Sequence, residues 1–231
     1  MMISEQDLKL KLILGLPIEI NRIKIHSVKV REIAEFGYLK YNQALKIISA
    51  DSFEIKKILG SKENISPFEF VVISVMSSIE IRTLIEDLFT LIFRENTEFS
   101  EEKLCFNVGK HELNKDIFDE IVNIICKRNR ANKNQKDLGK PSNEKARKIL
   151  EKRNLARSKL KKSGENGFDL ADLVSFLSVY FDTSTLLNLD IYQLTDRFMR
   201  IIKKENYDIS VNSLIHGANK SDLDLKHWSE K

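Results

Sequence analysis

Thirty-six consecutive residues in the middle of the chain, Lys127 to Lys162, carry too few apolar side chains to build a core, and they divide the sequence into two parts that can. The stretch holds fifteen basic residues against three acidic ones (Asp137, Glu144 and Glu151), a net charge of +12. The remaining residues hold 23 of the 38 Lys and Arg and 31 of the 34 Asp and Glu, a net of −8. The formal total of +4 therefore conceals two acidic parts joined by a basic one.

Apolar residues make up 42% of the chain, more than a disordered sequence carries. The longest apolar run, Phe70 to Ile79, is far shorter than the ~20 residues that span a bilayer, so no membrane role is expected. Met1-Met2-Ile3-Ser4 is followed at once by Glu5 and Asp7 instead of a basic stretch and an apolar one, so a secretory signal is not expected. Two cysteines fit a reducing compartment better than a disulfide scaffold. Eight Gly and three Pro favour helices over a turn-rich β-sandwich.

Periodicity places the elements. Leu16 to Ile20 and Ile23 to Ile25 alternate apolar with polar around Asn21-Arg22, a short hairpin pattern, and make the first thirty residues the main β candidate. Val30, Ile33, Ala34, Tyr38, Tyr41, Leu45 and Ile48 have helical spacing, with Gly37 inside as an expected close-packing point. Ser66-Pro67-Phe68-Glu69 is a capping box with Pro at the first helical position. Two apolar stripes follow, one from Phe68 to Met76 and one from Ile81 to Ile92. Leu104, Phe106 and Val108 alternate before Gly109 and suggest a small strand. Asn114 or Asp116 opens a helix whose apolar face runs from Ile117 to Ile125. Lys127 to Lys140 reads as a flexible linker, and Glu144 to Lys162 as an exposed helix. Beyond Gly167, Leu170, Leu173, Val174, Leu177 and Val179 form one stripe. Asp190 and Gln193 open another, with Lys203-Lys204 in its last turn. A final short helix is expected around Ile209, Leu214 and Ile215, and Trp228 is expected to anchor the tail.

The expected fold is mainly α, with a small N-terminal β hairpin and two helical domains joined by a basic linker and exposed helix. The units expected are an acidic domain over 1–126, the linker and exposed helix over 127–167, and a compact helical domain over 168–231.

Chemistry-bearing motifs are missing from the sequence. His26, His111, His216, His227, Cys105 and Cys126 match no common zinc spacing. No glycine-rich phosphate loop, nucleophile elbow or kinase signature occurs. The chain is therefore expected to be no enzyme and to hold no cofactor and no metal. The basic segment allows three readings: a surface for nucleic-acid phosphates built on Lys145, Arg147, Lys148, Lys152, Arg153 and Arg157, a solvated hinge, or a docking helix for a protein partner. It lacks any aromatic residue for base stacking, and the rest of the chain would repel DNA. Nucleic acid therefore ranks below the hinge and docking readings.

Gly15 to Ile20, Val30 to Tyr38 and Tyr41 to Leu45 resemble the N-terminus of proteins from tail gene clusters of phages of Gram-positive bacteria. Leu187 to Leu189, Ile191 to Leu194, Asp196 to Arg200, Tyr207 to Ser210 and Trp228 are similar to the end of the same proteins, and Lys148 to Lys152 sits where their basic helix does. These proteins look like tail assembly chaperones of phages, prophages or tail-like bacteriocins. The resemblance implies a mostly helical, non-enzymatic protein of the host cytoplasm. Such a protein binds the helical tape measure protein, keeps it soluble until tail tube protein polymerises, and is absent from the finished particle. Tail tube protein is a second partner to consider, and self-association into a homo-oligomer stays open. Leu84, Leu88, Leu194 and Phe198 are the residues expected to line grooves for the client, although each fits an ordinary core equally well.

Overall fold

A computed structural model describes residues 3–60, 65–131, 169–216 and 227. The basic residues Lys145, Arg147, Lys148, Lys152, Arg153 and Arg157, and Trp228, lie outside the described residues. The fold is mainly α, as expected, with the hairpin near the N-terminus.

The hairpin pairs β1 (Ile18–Ile20) with β2 (Ile23–Ile25). Asn21 and Arg22 both take positive φ, 46° and 68°, as a two-residue turn of the primed class requires. Ile18 pairs with Ile25 and Ile20 with Ile23, and all four are buried, while Glu19 and Lys24 face each other on the outer side. A helix precedes the hairpin where strand was expected: α1 (Glu5–Leu14). Ser4 caps it by accepting from the amide of Asp7, and Gly15 closes it in the left-handed conformation.

The helical stretch expected from Val30 to Ile48 is two helices, α2 (Val30–Phe36) and α3 (Tyr38–Ile48). Gly37 between them has φ 95° and ψ 112°, which no helix tolerates. A Cβ there would meet nothing closer than Lys40 at 3.8 Å, so Gly37 is a backbone break and not a close-packing point. A further unexpected helix, α4 (Ser52–Leu59), starts on the Asp51–Glu54 capping box and ends at Gly60.

Two expected helices follow. In α5 (Pro67–Ser77), Ser66 Oγ accepts from the Glu69 amide at 3.3 Å and Glu69 Oε2 accepts from the Ser66 amide at 2.8 Å. Ser78 caps α6 (Ile79–Phe93). The strand expected around Phe106 is the centre of a three-stranded antiparallel sheet, β3 (Thr97–Ser100), β4 (Cys105–Val108) and β5 (His111–Leu113). Leu104 sits before β4 at φ 50° and half exposed, so the alternation starts one residue later than expected. Asn114 caps α7 (Lys115–Arg128).

The C-terminal part holds α8 (Leu170–Leu177), α9 (Thr183–Leu187) and α10 (Ile191–Ile215). Val179 falls beyond α8 and is exposed, so it leaves the expected stripe. The two helices expected after Asp190 are one. No Gly or Pro interrupts 191–215, and Asp196–Arg200 and Lys204–Asp208 pair at i,i+4 along it. Lys203 and Lys204 therefore sit mid-helix.

Two cores result. The larger gathers α3, α5, α6, α7 and both sheets around Tyr41, Phe89, Phe93, Phe106 and Phe118. The smaller is built on Leu173, Leu177, Leu186, Leu189 and Leu194. Each borrows one fully or nearly buried side chain from the other half: Tyr192 of α10 enters the larger core, and Val30 of α2 enters the smaller.

Candidate functional site

The two halves meet at a buried polar joint. Arg128 was part of the basic run, yet it continues the face of α7 that carries Ile121, Ile124 and Ile125, three to seven residues earlier. Helical phase therefore turns it inward. Its side chain is 4% exposed, and that of Asp190 is 3% exposed. Nη1 of Arg128 lies 3.6 Å from Oδ2 of Asp190, within ion-pair range but beyond a hydrogen bond. Nη2 donates to the carbonyl of Leu16 in the loop before the hairpin. Nε and Nη1 of Arg128 and Oδ2 of Asp190 have no hydrogen-bond partner among the described residues.

Asp190 has a second task. As the N-cap of α10, its Oδ1 accepts from the Gln193 amide at 2.8 Å, while Gln193 Oε1 accepts from the Asp190 amide at 3.1 Å. Gln193 Nε2 donates onward to the carbonyl of Ile13, at the end of α1, at 3.0 Å. Backbone contacts tighten the joint: the Val30 amide donates to the Leu189 carbonyl at 2.9 Å, and Lys29 and Asp190 form an antiparallel bridge. The guanidinium of Arg130 lies 3.8 Å over the ring of Tyr192.

A cavity of about 10 Å³ sits at the joint, bordered by His26, Arg128, Asn129 and Asp190 among apolar side chains. That is near the least volume that holds one water. Burial raises the pKa of the Asp190 carboxyl, against the pull of its Gln193 hydrogen bond and of Arg128. Burial, reinforced by Arg94 and Arg128, lowers that of His26. A carboxylate, a guanidinium and an imidazole thus converge, but around a packed contact between helices.

The residues expected to receive a client are not brought together. Leu88 is fully buried in the larger core, with Leu84 packed partly buried against it. Leu194 is fully buried in the smaller core, and Phe198 packs edge-on against Phe176 at 5.0 Å between ring centres. Exposed apolar side chains are found further along α10. Only Tyr192 and Leu194 of its 25 residues are buried, and Met199, Ile209, Leu214 and Ile215 stand out towards solvent. Among the described residues no group of His, Cys, Asp and Glu could hold a metal ion, and no helix is long and apolar enough to cross a membrane.

The segment that carries α8, α9 and α10 has a counterpart among known families. Residues 159–231 match the family model described as YomV second domain. This family is associated with phages and prophages. The match to the YomV second domain takes in both the capping box of Asp190 and the exposed length of α10, and leaves the larger core, Tyr192 apart, outside it. No curated protein and no solved structure matches the chain.

Proposed function

We propose that this protein is a non-enzymatic tail assembly chaperone. It binds the helical tape measure protein in the host cytoplasm and keeps it soluble until the tail tube polymerises. The observation that carries the reading is α10, a 25-residue helix in a phage-associated segment that keeps Met199, Ile209, Leu214 and Ile215 outside any core. A client made of long amphipathic helices needs apolar surface laid along a helix, and burying it removes apolar area from water at about 25 cal/mol per Å². Leu88 and Leu194 hold the protein's own cores, so the client in this reading meets the side chains that stand out from α10. The resemblance of both ends of the sequence to tail assembly chaperones supports the same role.

The test is co-expression with the tape measure protein of the same gene cluster. The two should co-purify, and the client should lose solubility when expressed alone. A client that is equally soluble alone and never associates refutes the reading.

The +12 segment supports a second reading, a phage protein that binds nucleic acid. Arg128 and Arg130 are engaged within the fold, which removes two of the fifteen cations from that surface. Duplex DNA binding that falls steeply from low to moderate salt would favour it, and no binding at low salt would remove it.

A further inference from the structure

We propose that the contact between α8–α10 and the rest of the fold is a separable joint, which opens while the larger core stays folded and so bares Val30, Leu189 and Tyr192. Different forces hold the two parts together. The larger core is a continuous set of aliphatic and aromatic side chains. The joint instead centres on Arg128 and Asp190, which are buried, 3.6 Å apart, and leave three polar atoms without hydrogen bonds. Two charges taken out of water lose hydration that their attraction recovers only when the geometry is good and every lone pair and proton is used. Here neither condition is met, and separation returns both groups to water. The contacts around the pair are of the same kind: a backbone hydrogen bond from Val30 to Leu189, a side-chain bond from Gln193 to Ile13, and the stacking of Arg130 on Tyr192. Each is local and each can be remade with water or lost singly. Val30, Leu189 and Tyr192 are the apolar side chains buried in the contact, with Leu170 and Ile191 packed part-buried against the larger core beside them. Cooperative units that open below the global transition are those with the fewest apolar contacts across their boundary. This boundary is the one place in the described fold where a charged pair takes the position of an apolar seam.

Two backbone amides four residues apart provide an internal control. The His26 amide donates to the carbonyl of Ile92 inside the larger body, while the Val30 amide donates to Leu189 across the joint. Native-state hydrogen exchange of the full chain, followed by NMR through low concentrations of denaturant, reads both. The expected result is a protection factor for Val30 at least about tenfold below that of His26, with an opening that itself responds to denaturant. Arg128→Met, which leaves Asp190 buried and unpaired, should lower the protection of Val30 by a further factor of about one hundred or more and leave His26 nearly unchanged. Equal protection of the two amides in the native protein would overturn the proposal, because joint and core would then open only together. A parallel fall of both amides in Arg128→Met would overturn it as well. If that variant does not fold, the comparison within the native protein still decides.

Discussion

The hydroxyl of Tyr41 donates a 2.7 Å hydrogen bond to Oδ1 of Asn129, tying α3 to the residue that ends α7 across 88 positions of sequence. Tyr41 is fully buried, and Asn129 uses its amide nitrogen on the carbonyl of Ile125 at 2.9 Å. The end of α7 is therefore held in place just where Arg128 enters the joint. Tyr41→Phe removes the only donor to Asn129 Oδ1 among the described residues, and should cost about 1–3 kcal/mol in a urea titration. The position of the Arg128 side chain should change with it, seen as altered exchange at Val30.

Single changes at the charged pair should be severe and the combined change mild. Arg128→Met or Asp190→Asn strands a buried partner and should each weaken the closure of the joint by about 3–5 kcal/mol while the larger core keeps its stability. Asn keeps a side chain that caps α10, so the second substitution isolates the charge. The double variant should recover most of the loss, and exchange of the Val30 amide in the four proteins gives the coupling directly. Additive single costs would refute the pairing.

The His26 imidazole is partly buried beside Arg94 and Arg128, which holds its pKa below the ordinary 6.5. The unfolded chain therefore takes up that proton first as pH falls. Its contribution to stability is present above pH 6.5 and is lost progressively as pH drops through the lowered folded value. Thermal unfolding between pH 7.5 and 5.5 should show this decline, and His26→Gln should flatten it.

Gly37→Ala should destabilise without any clash. The backbone there stands at φ 95° and ψ 112°, and the missing Cβ would meet only the Lys40 side chain, in ordinary contact at 3.8 Å. The cost is the conformational strain of an L-residue, about 1–3 kcal/mol. Calorimetry should find a lower Tm with no change in the far-UV spectrum.

Stability and client binding should separate. Leu88→Ala, deep in the larger core, should cost about 2–5 kcal/mol. Ile209→Ser with Ile215→Ser, both on exposed positions of α10, should each stay within about 0.5 kcal/mol of the parent protein. Only the second pair should abolish co-purification with the tape measure protein at undiminished stability.

Much of this fold can be read locally from the residues. Ser66 with Glu69 and Asp190 with Gln193 announce helix starts because the capping groups lie within four residues of one another. The hairpin is legible for the same reason. The helices α1 and α4 carry comparable signals, Ser4 with Asp7 and Asp51 with Glu54, each closed by a glycine. Their apolar stripes are short, and periodicity passes over them. The joint is not legible, because it depends on distance in space. Arg128 sits in a run of cations, and only its phase on α7, three residues past Ile125 and seven past Ile121, marks it as inward-facing. Nothing near it in sequence names Asp190 as its partner. The split of the stretch Val30–Ile48 was hidden because a glycine inside a helical pattern does not disclose the sign of its φ.

Asp190 divides its carboxylate between two tasks, one oxygen fixing where α10 begins and the other meeting Arg128. A helix that started one residue earlier or later would rotate its first turn by about 100° and carry that second oxygen away from α7. The cap thus works as an indexing pin. The placement of the C-terminal helices and the registry of the long helix are set by a single side chain, and neither can drift without the other.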